Sequence, residues 1–105
     1  MRALASFRFL NLSDIQAKEL ADLIPNVEIG EHFETKNNVG CINLDRSTSI
    51  EEIGVFAKQH EFKPTDCDIF ISIASENQDE IWRAPKAVNN MLKIFDCPIV
   101  FSYTC

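Results

Sequence analysis

Two histidines, His32 and His60, are the side chains in this chain best suited to proton transfer near neutral pH. His32 lies between Glu31 and Glu34, whose carboxylates would raise its pKa or share a metal ion with it. His60 falls at the end of a predicted helix, where the negative helix terminus favours a cationic ring. Both patterns are typical of ordinary surface residues. We therefore predict no catalytic and no metal-binding residue, and His32 acting as a ligand or base is the alternative.

The cysteines are far apart in the sequence and form no C-x-x-C pair; they are Cys41, Cys67, Cys97 and Cys105. This spacing predicts neither a zinc site nor a thioredoxin-type redox site, and free thiols are expected. Cys67 lies between Asp66 and Asp68, whose negative charges raise a thiol pKa and so disfavour a nucleophilic role. The other three fall in or next to predicted strands, where cysteine packs as a small apolar residue. A Cys/His dyad assembled by the fold stays open.

Cofactor-binding patterns are missing from the sequence. Its three glycines, Gly30, Gly40 and Gly54, are isolated and form none of the glycine-rich loops that hold phosphates. The acidic residues do not follow the alternating spacing of a calcium loop either. We predict no cofactor.

The distribution of charge is the most informative chemical feature. Ten Lys and Arg residues against sixteen Asp and Glu residues give a net charge of −6, which repels nucleic acid and attracts cationic partners. Two stretches hold acids without any Lys or Arg. One runs from Asp66 to Trp82 and the other contains Glu28, Glu31 and Glu34. Trp82 next to the first group is typical of an apolar anchor in an acidic rim, or of a residue that covers the core edge beside solvated acids.

Periodicity predicts the elements that carry these residues. Residues 2–12 alternate as a strand, residues 14–24 follow helical spacing after the capping pair Ser13 and Gln16, and strands are predicted from residue 26 and over 39–45. The Lys36 to Asn38 segment with Gly40 predicts the turn between these two strands. Ser49 and Glu52 predict a second capped helix that ends near Phe62, and residues 68–75 form a strand with two apolar faces, typical of an interior position.

The last stretch, residues 82–105, predicts a helix and a strand that complete the core. Pro85 suits a helix start, and Val88, Met91, Leu92 and Phe95 recur on one helical face. The period then changes to two, which puts Ile99, Phe101 and Tyr103 on one side of a strand that we expect to be buried.

The elements follow the order β-α-β-β-α-β-α-β in 105 residues, which predicts a single α+β domain over residues 1–105. The first six elements have the split β-α-β pattern of ferredoxin-like folds, so we expect a mixed sheet of about five strands packed by about three helices. No apolar run is long enough to cross a bilayer, and Arg8 interrupts what would be the apolar part of a signal peptide. A cytoplasmic protein without membrane contact is expected.

In length, acidity and element order, and in lacking a catalytic signature, the chain resembles the small immunity proteins of bacterial polymorphic-toxin and contact-dependent growth-inhibition systems. The closing PKAVNNMLKIFDCPIVFSYTC also resembles the terminal helix-strand unit of several bacterial domain families. The resemblance implies binding to a cognate, cationic toxin domain, often a nuclease, whose active site is occluded by acidic side chains. The residues then expected to bind are Glu76, Asp79, Glu80 and Trp82, with Glu28, Glu31 and Glu34 as a second patch.

Two other classes of function stay open. A small ferredoxin-like ligand-sensing or regulatory domain would hold its site at a dimer interface between edge strands. An enzyme would need one of the histidines to meet a cysteine or a carboxylate in a pocket, and we expect the chain not to be an enzyme.

Overall fold

The computed structural model describes residues 2–31, 37–45, 48–75 and 81–104. In the described residues, five strands, three helices and a short 3₁₀ turn form one α+β unit, which confirms the predicted element order. The strands are β1 (Arg2–Leu12), β2 (Glu28–Glu31), β3 (Asn38–Asn43), β4 (Cys67–Ala74) and β5 (Ile99–Thr104). The helices are α1 (Asp14–Leu23), α2 (Ile50–Gln59) and α3 (Lys86–Ile94), and the 3₁₀ turn is Pro64–Asp66.

The five strands form one sheet in the order β2-β3-β1-β4-β5. The first four strands pair antiparallel, with Arg8 of β1 opposite Cys41 of β3 on one side and Asp68 of β4 on the other. This is the split β-α-β arrangement predicted from the element order. Strand β5 is added in parallel to β4 through α3, so β4 is an interior strand, as predicted, and β2 and β5 are the two edges.

All three helices pack against the same face of the sheet. The ring of Phe56 in α2 lies 5.3 Å from that of Phe9 in β1, and Phe95 at the end of α3 lies 6.0 Å from Phe7. Helix α1 reaches the same face through Leu20, which contacts β3 at Gly40. We call this the helix face of the sheet. Because side chains alternate along a strand, Ser6 and Arg8 of β1 point to the opposite face.

The core lies between the helix face and the helices. Its largest fully buried side chains are Phe7, Phe9, Leu12, Leu20, Ile53, Ile69, Met91 and Cys67. Phe7 and Phe9 meet edge to face with ring centroids 5.0 Å apart, a favourable geometry for aromatic pairs. Burial of such a side chain contributes about 1.5–3 kcal/mol, so these two phenylalanines at the centre of the sheet are major contributors to stability.

Two local predictions have different outcomes at the helix starts. Helix α1 begins with the predicted capping box: the Gln16 amide donates to Ser13 Oγ at 3.1 Å, and the Ser13 amide donates to Gln16 Oε1 at 2.9 Å. The second predicted capping box is wrong. Ser49 precedes α2 but makes no side-chain capping hydrogen bond. Helix α2 also ends at Gln59, earlier than the predicted Phe62, and Glu61 then takes a positive φ of 56°.

Gly40 lies inside β3 and not in the turn to which the sequence pattern assigned it. A Cβ at this position would lie 2.9 Å from Leu20 Cδ2 and 3.0 Å from Leu12 Cδ1. A larger residue here would force the buried side chains of Leu20 and Leu12 to shift, so glycine suits the close approach of α1 to the sheet.

The prediction that Ile99, Phe101 and Tyr103 are core residues is wrong. Ile69 and Ile71 of β4 are at most 2% exposed, whereas their direct neighbours on β5, Ile99 and Phe101, are 40% and 65% exposed. Tyr103 is 55% exposed. Side chains do alternate along β5 as predicted, but the helices bury this face of the sheet at β4 and leave it exposed at β5. The remaining closing-helix residues agree with the prediction, since Val88 and Met91 are buried and Leu92 and Phe95 are half-buried.

Candidate protein-binding surfaces

The first candidate surface is the acidic edge strand β2. All four of its residues are exposed, including Glu28 and Glu31, two of the predicted binding residues. The third member of that patch, Glu34, lies outside the described residues, as does His32. The structure thus places Glu28 and Glu31 at an accessible sheet edge, three residues apart on opposite sides of the strand.

Helix α1 extends this surface with acids that the sequence prediction missed. The Asn38 side-chain amide of β3 donates to Asp14 Oδ1 at 2.8 Å, and Asn38 pairs directly with Glu31 of β2. The start of α1 therefore lies beside the end of β2. Lys18 is the one cation within residues 14–31. We call the following five residues the acidic end: Asp14, Glu19, Asp22, Glu28 and Glu31.

The second predicted patch is only partly described. Glu76, Asp79 and Glu80 lie outside the described residues. Trp82, which follows them, is half-buried and packs against the core, as expected for a residue that covers the core edge. The adjacent Ile81 is 87% exposed and is the most exposed large apolar side chain in the described part of the chain. The two side chains thus differ: Trp82 is held by the core, and Ile81 is available for contact.

An ion pair lies on the sheet face opposite the helices. Arg8 donates two hydrogen bonds to Asp68, from Nε to Oδ1 at 2.7 Å and from Nη2 to Oδ2 at 2.6 Å. The Arg8 guanidinium also lies 4.3 Å from the centre of the Phe70 ring. The hydrogen bonds from Arg8 to Asp68 raise the pKa of Arg8 despite its partial burial. This arrangement satisfies a carboxylate that is only 5% exposed, and it joins β1 to β4.

The side chains with reactive potential are held by packing or by pairing. His60 Nε2 lies 2.7 Å from Glu19 Oε2, and the His60 ring packs on Phe56 with centroids 4.6 Å apart. Burial raises the pKa of the Cys97 thiol to about 11, and burial together with nearby negative groups raises the pKa of Cys67 further. Both thiols are therefore protonated at neutral pH and are poor nucleophiles there.

The second candidate surface is the outer edge of β5. Four of its side chains are large, apolar and well exposed, and we call them the apolar edge: Ile99, Val100, Phe101 and Tyr103. Single exposed apolar side chains are common on protein surfaces, whereas a contiguous group of aromatic and branched residues marks an interaction site. The sequence pattern located this strand, but only the position of α3 reveals that it is uncovered.

Neither surface can be assigned through relatives. Comparison with protein-family models, with curated proteins and with solved structures finds no match for this chain. In the described residues, no helix has the length and apolar character needed to span a membrane. Function must therefore be argued from the two surfaces themselves.

Proposed function

We propose that this chain is an immunity-type protein that binds a cationic toxin domain and neutralises it by covering its active site. The observation that carries the proposal is the acidic end: α1 and β2 hold five carboxylates and a single lysine, and of the five Glu19 pairs with His60. The chain as a whole has a net charge of −6, which favours encounter with a basic partner.

The chemistry of a nuclease domain explains why carboxylates suit this role. A nuclease binds phosphates with a cationic site, and exposed carboxylates can occupy that site in place of the phosphates. Glu28 and Glu31 are suited to this contact because both are exposed on a strand at the edge of the sheet that the structure describes. Complementary charge of this kind mainly increases the association rate and suppresses wrong partners.

The other predicted binding residues enter the proposal by their position in the sequence. Glu34 comes three residues after the end of β2, and Glu76, Asp79 and Glu80 precede Ile81 and Trp82. Because Trp82 packs against the core, its replacement by alanine would reduce stability as well as binding. Ile81 is the cleaner probe of an apolar anchor, since its side chain is almost fully exposed.

The first test is the gene that lies next to the natural gene for this chain. We expect a toxin reading frame there, and a stable 1:1 complex between the purified chain and the C-terminal domain of that toxin. Co-expression of this chain should restore growth to cells that express the toxin domain. A neighbour without toxicity, together with no complex, would falsify the proposal.

The second test locates the contact. Glu28→Lys/Glu31→Lys should slow association with the toxin domain about 10-fold or more at low salt and reduce the salt dependence of the rate. The matched control is Glu51→Lys/Glu52→Lys, which makes the same charge change in the exposed first turn of α2. Equal losses in both variants would assign the effect to net charge and remove β2 from the contact.

The apolar edge favours a second candidate, a small ligand-sensing or regulatory domain whose site lies between edge strands of a dimer. A thermal-shift screen with metabolites tests this function, because a ligand that binds the folded state raises the melting temperature. Stabilisation by one chemical class of ligand, without any toxin partner, would support this candidate over the first.

A further inference from the structure

The outer edge of β5 differs from the rest of the surface in charge. Residues 97–104, CPIVFSYT, contain no charged side chain, in a chain where one residue in four is charged. Within the described residues, β5 pairs with β4 on its inner side and is the last strand of the sheet on its outer side. Edge strands are normally protected by charges, prolines or short length, and beyond Pro98 this six-residue strand has none of these protections.

The backbone of β5 presents a defined set of groups at this edge. The Ile69 amide donates to the Pro98 carbonyl at 2.9 Å, so the backbone of Pro98 faces β4. Since successive residues of a strand point their N–H and C=O groups to opposite sides, Val100 also faces β4, whereas Ile99 and Phe101 face outward. The outward-facing residues thus include Phe101, the most exposed side chain of the strand.

We propose that β5 pairs antiparallel with β5 of a second copy of this chain, about a two-fold axis at Phe101 perpendicular to the sheet. Such an axis keeps the helix faces of both copies on the same side. The numbers of two residues that lie directly opposite each other must then add up to an even number. With Phe101 opposite Phe101 of the second copy, Ile99 lies opposite Tyr103, and Val100 lies opposite Ser102.

This register satisfies side chains and backbone together. The two Phe101 residues exchange a pair of N–H···O bonds, because the backbone of Phe101 faces the axis. On the helix face, the exposed side chains of Ile99, Phe101 and Tyr103 cover one another across the axis. A shift by two residues keeps the faces matched but moves the two-fold axis to Val100 or Ser102, whose backbone groups face β4, so no pair of hydrogen bonds forms at the axis.

The uncharged strand β5 can meet a second copy of itself without like charges facing each other at the contact. Two chains of net charge −6 repel each other over most of their surfaces, and an uncharged strand is where that repulsion is smallest. The acidic edge β2 is four strand spacings from β5, or roughly 19 Å at about 4.8 Å per spacing. The two acidic edges of a dimer would lie nine spacings apart, or roughly 43 Å, which is about five times the Debye length at physiological salt, so they are screened from each other.

The dimer is independent of the toxin-binding proposal, because it uses the opposite edge of the sheet. It would leave both acidic ends free at the two outer edges of one continuous ten-stranded sheet. The contact is a single strand pair with a few exposed side chains, so we expect a dissociation constant on the order of tens of micromolar.

Sedimentation velocity over a concentration series from about 5 to 500 µM tests the proposal, since this range brackets the expected dissociation constant. The wild-type chain should pass from the 11.9 kDa monomer to twice that mass. Phe101→Lys puts two cations face to face at the axis and should weaken dimerisation at least 100-fold. The matched control is Val55→Lys, because Val55 is 61% exposed on α2 and the charge change is the same. This control should dimerise like the wild type.

Amide hydrogen exchange provides a second readout that does not depend on a variant. Protection of the Phe101 amide should rise with protein concentration, whereas the Val100 amide, which faces β4, should be protected at every concentration. A wild-type chain that stays monomeric up to the highest concentration would overturn the proposal. So would a dimer that survives Phe101→Lys, or concentration-independent exchange at Phe101, which would point to a strand of another protein as the occupant.

Discussion

Strand β2 closes one edge of the sheet with four residues, two of them glutamates, whereas β5 closes the other edge with six residues and no charged side chain. Both strands are exposed and both belong to the same sheet. Short length and charge keep β2 from pairing with other strands, and β5 lacks both protections. The difference indicates two separate binding modes, one electrostatic at β2 and one through strand pairing at β5.

The two edges stay in one sheet only while the strands between them remain paired, and the Arg8–Asp68 pair joins two of these strands. Arg8→Leu should lower the free energy of unfolding by about 3 kcal/mol, because it leaves the buried Asp68 carboxylate without its partner. Urea unfolding followed by circular dichroism measures this loss. The double variant Arg8→Leu/Asp68→Leu should recover much of it, since it removes both charges. An equal loss in the double variant would mean that the pair acts through packing and not through charge.

The position of α1 on the acidic side can be tested at Gly40. Gly40→Ala should destabilise the fold by about 1–3 kcal/mol, because the new methyl group would lie against Leu20 and Leu12. The control is Gly30→Ala in β2, where a Cβ meets no atom within 4 Å and the change should stay within about 0.5 kcal/mol. Thermal unfolding of both variants gives the comparison. Equal stability of the two variants would contradict the close approach of α1 to β3.

The stability of the β5 side should depend on pH through Cys97, the buried thiol next to this strand. An unfolded Cys97 thiol titrates near pH 9.0 and the buried thiol near 11, so unfolding releases a proton between these values. The contribution of the buried Cys97 thiol to the free energy of unfolding should therefore be fully present below pH 9 and be lost as pH rises toward 11. Urea unfolding over this range, compared with Cys97→Ala, isolates the contribution. A variant with the same slope as the wild type would exclude Cys97 as its source.

Local patterns in the sequence predicted the elements well. The Ser13 capping box and the buried Val88 and Met91 of α3 depend on residues within a few positions of each other, and the structure confirms them. Strand order was not predicted from the sequence; the structure shows the order that is typical of a split β-α-β pattern, with β5 added at one edge. Gly40 was misread because a glycine needed for close packing has the same appearance in a sequence as a glycine in a turn.

The two surfaces were harder to predict because they depend on which elements become neighbours. Alternation in β5 reveals which residues share a face, but cover of that face depends on where α3 comes to lie. The acids of α1 join those of β2 only through the fold, as the contact of Asp14 with Asn38 demonstrates. One available signal was overlooked: Arg8 and Asp68 each interrupt an apolar strand, and two opposite charges in such strands favour a pair.

The central position of β1 has a consequence for synthesis of the chain. Its partner β4 is separated by 60 residues at the Arg8 to Asp68 pair, so at 5–20 residues per second β1 waits roughly 3 to 12 s for that neighbour on the ribosome. Until β3 and β4 emerge, Phe7 and Phe9 belong to an exposed apolar segment with high strand propensity. Arg8 lies between them and carries the charge that disfavours aggregation of the nascent chain. The residue that later joins the middle strands thus also protects the strand before the sheet exists.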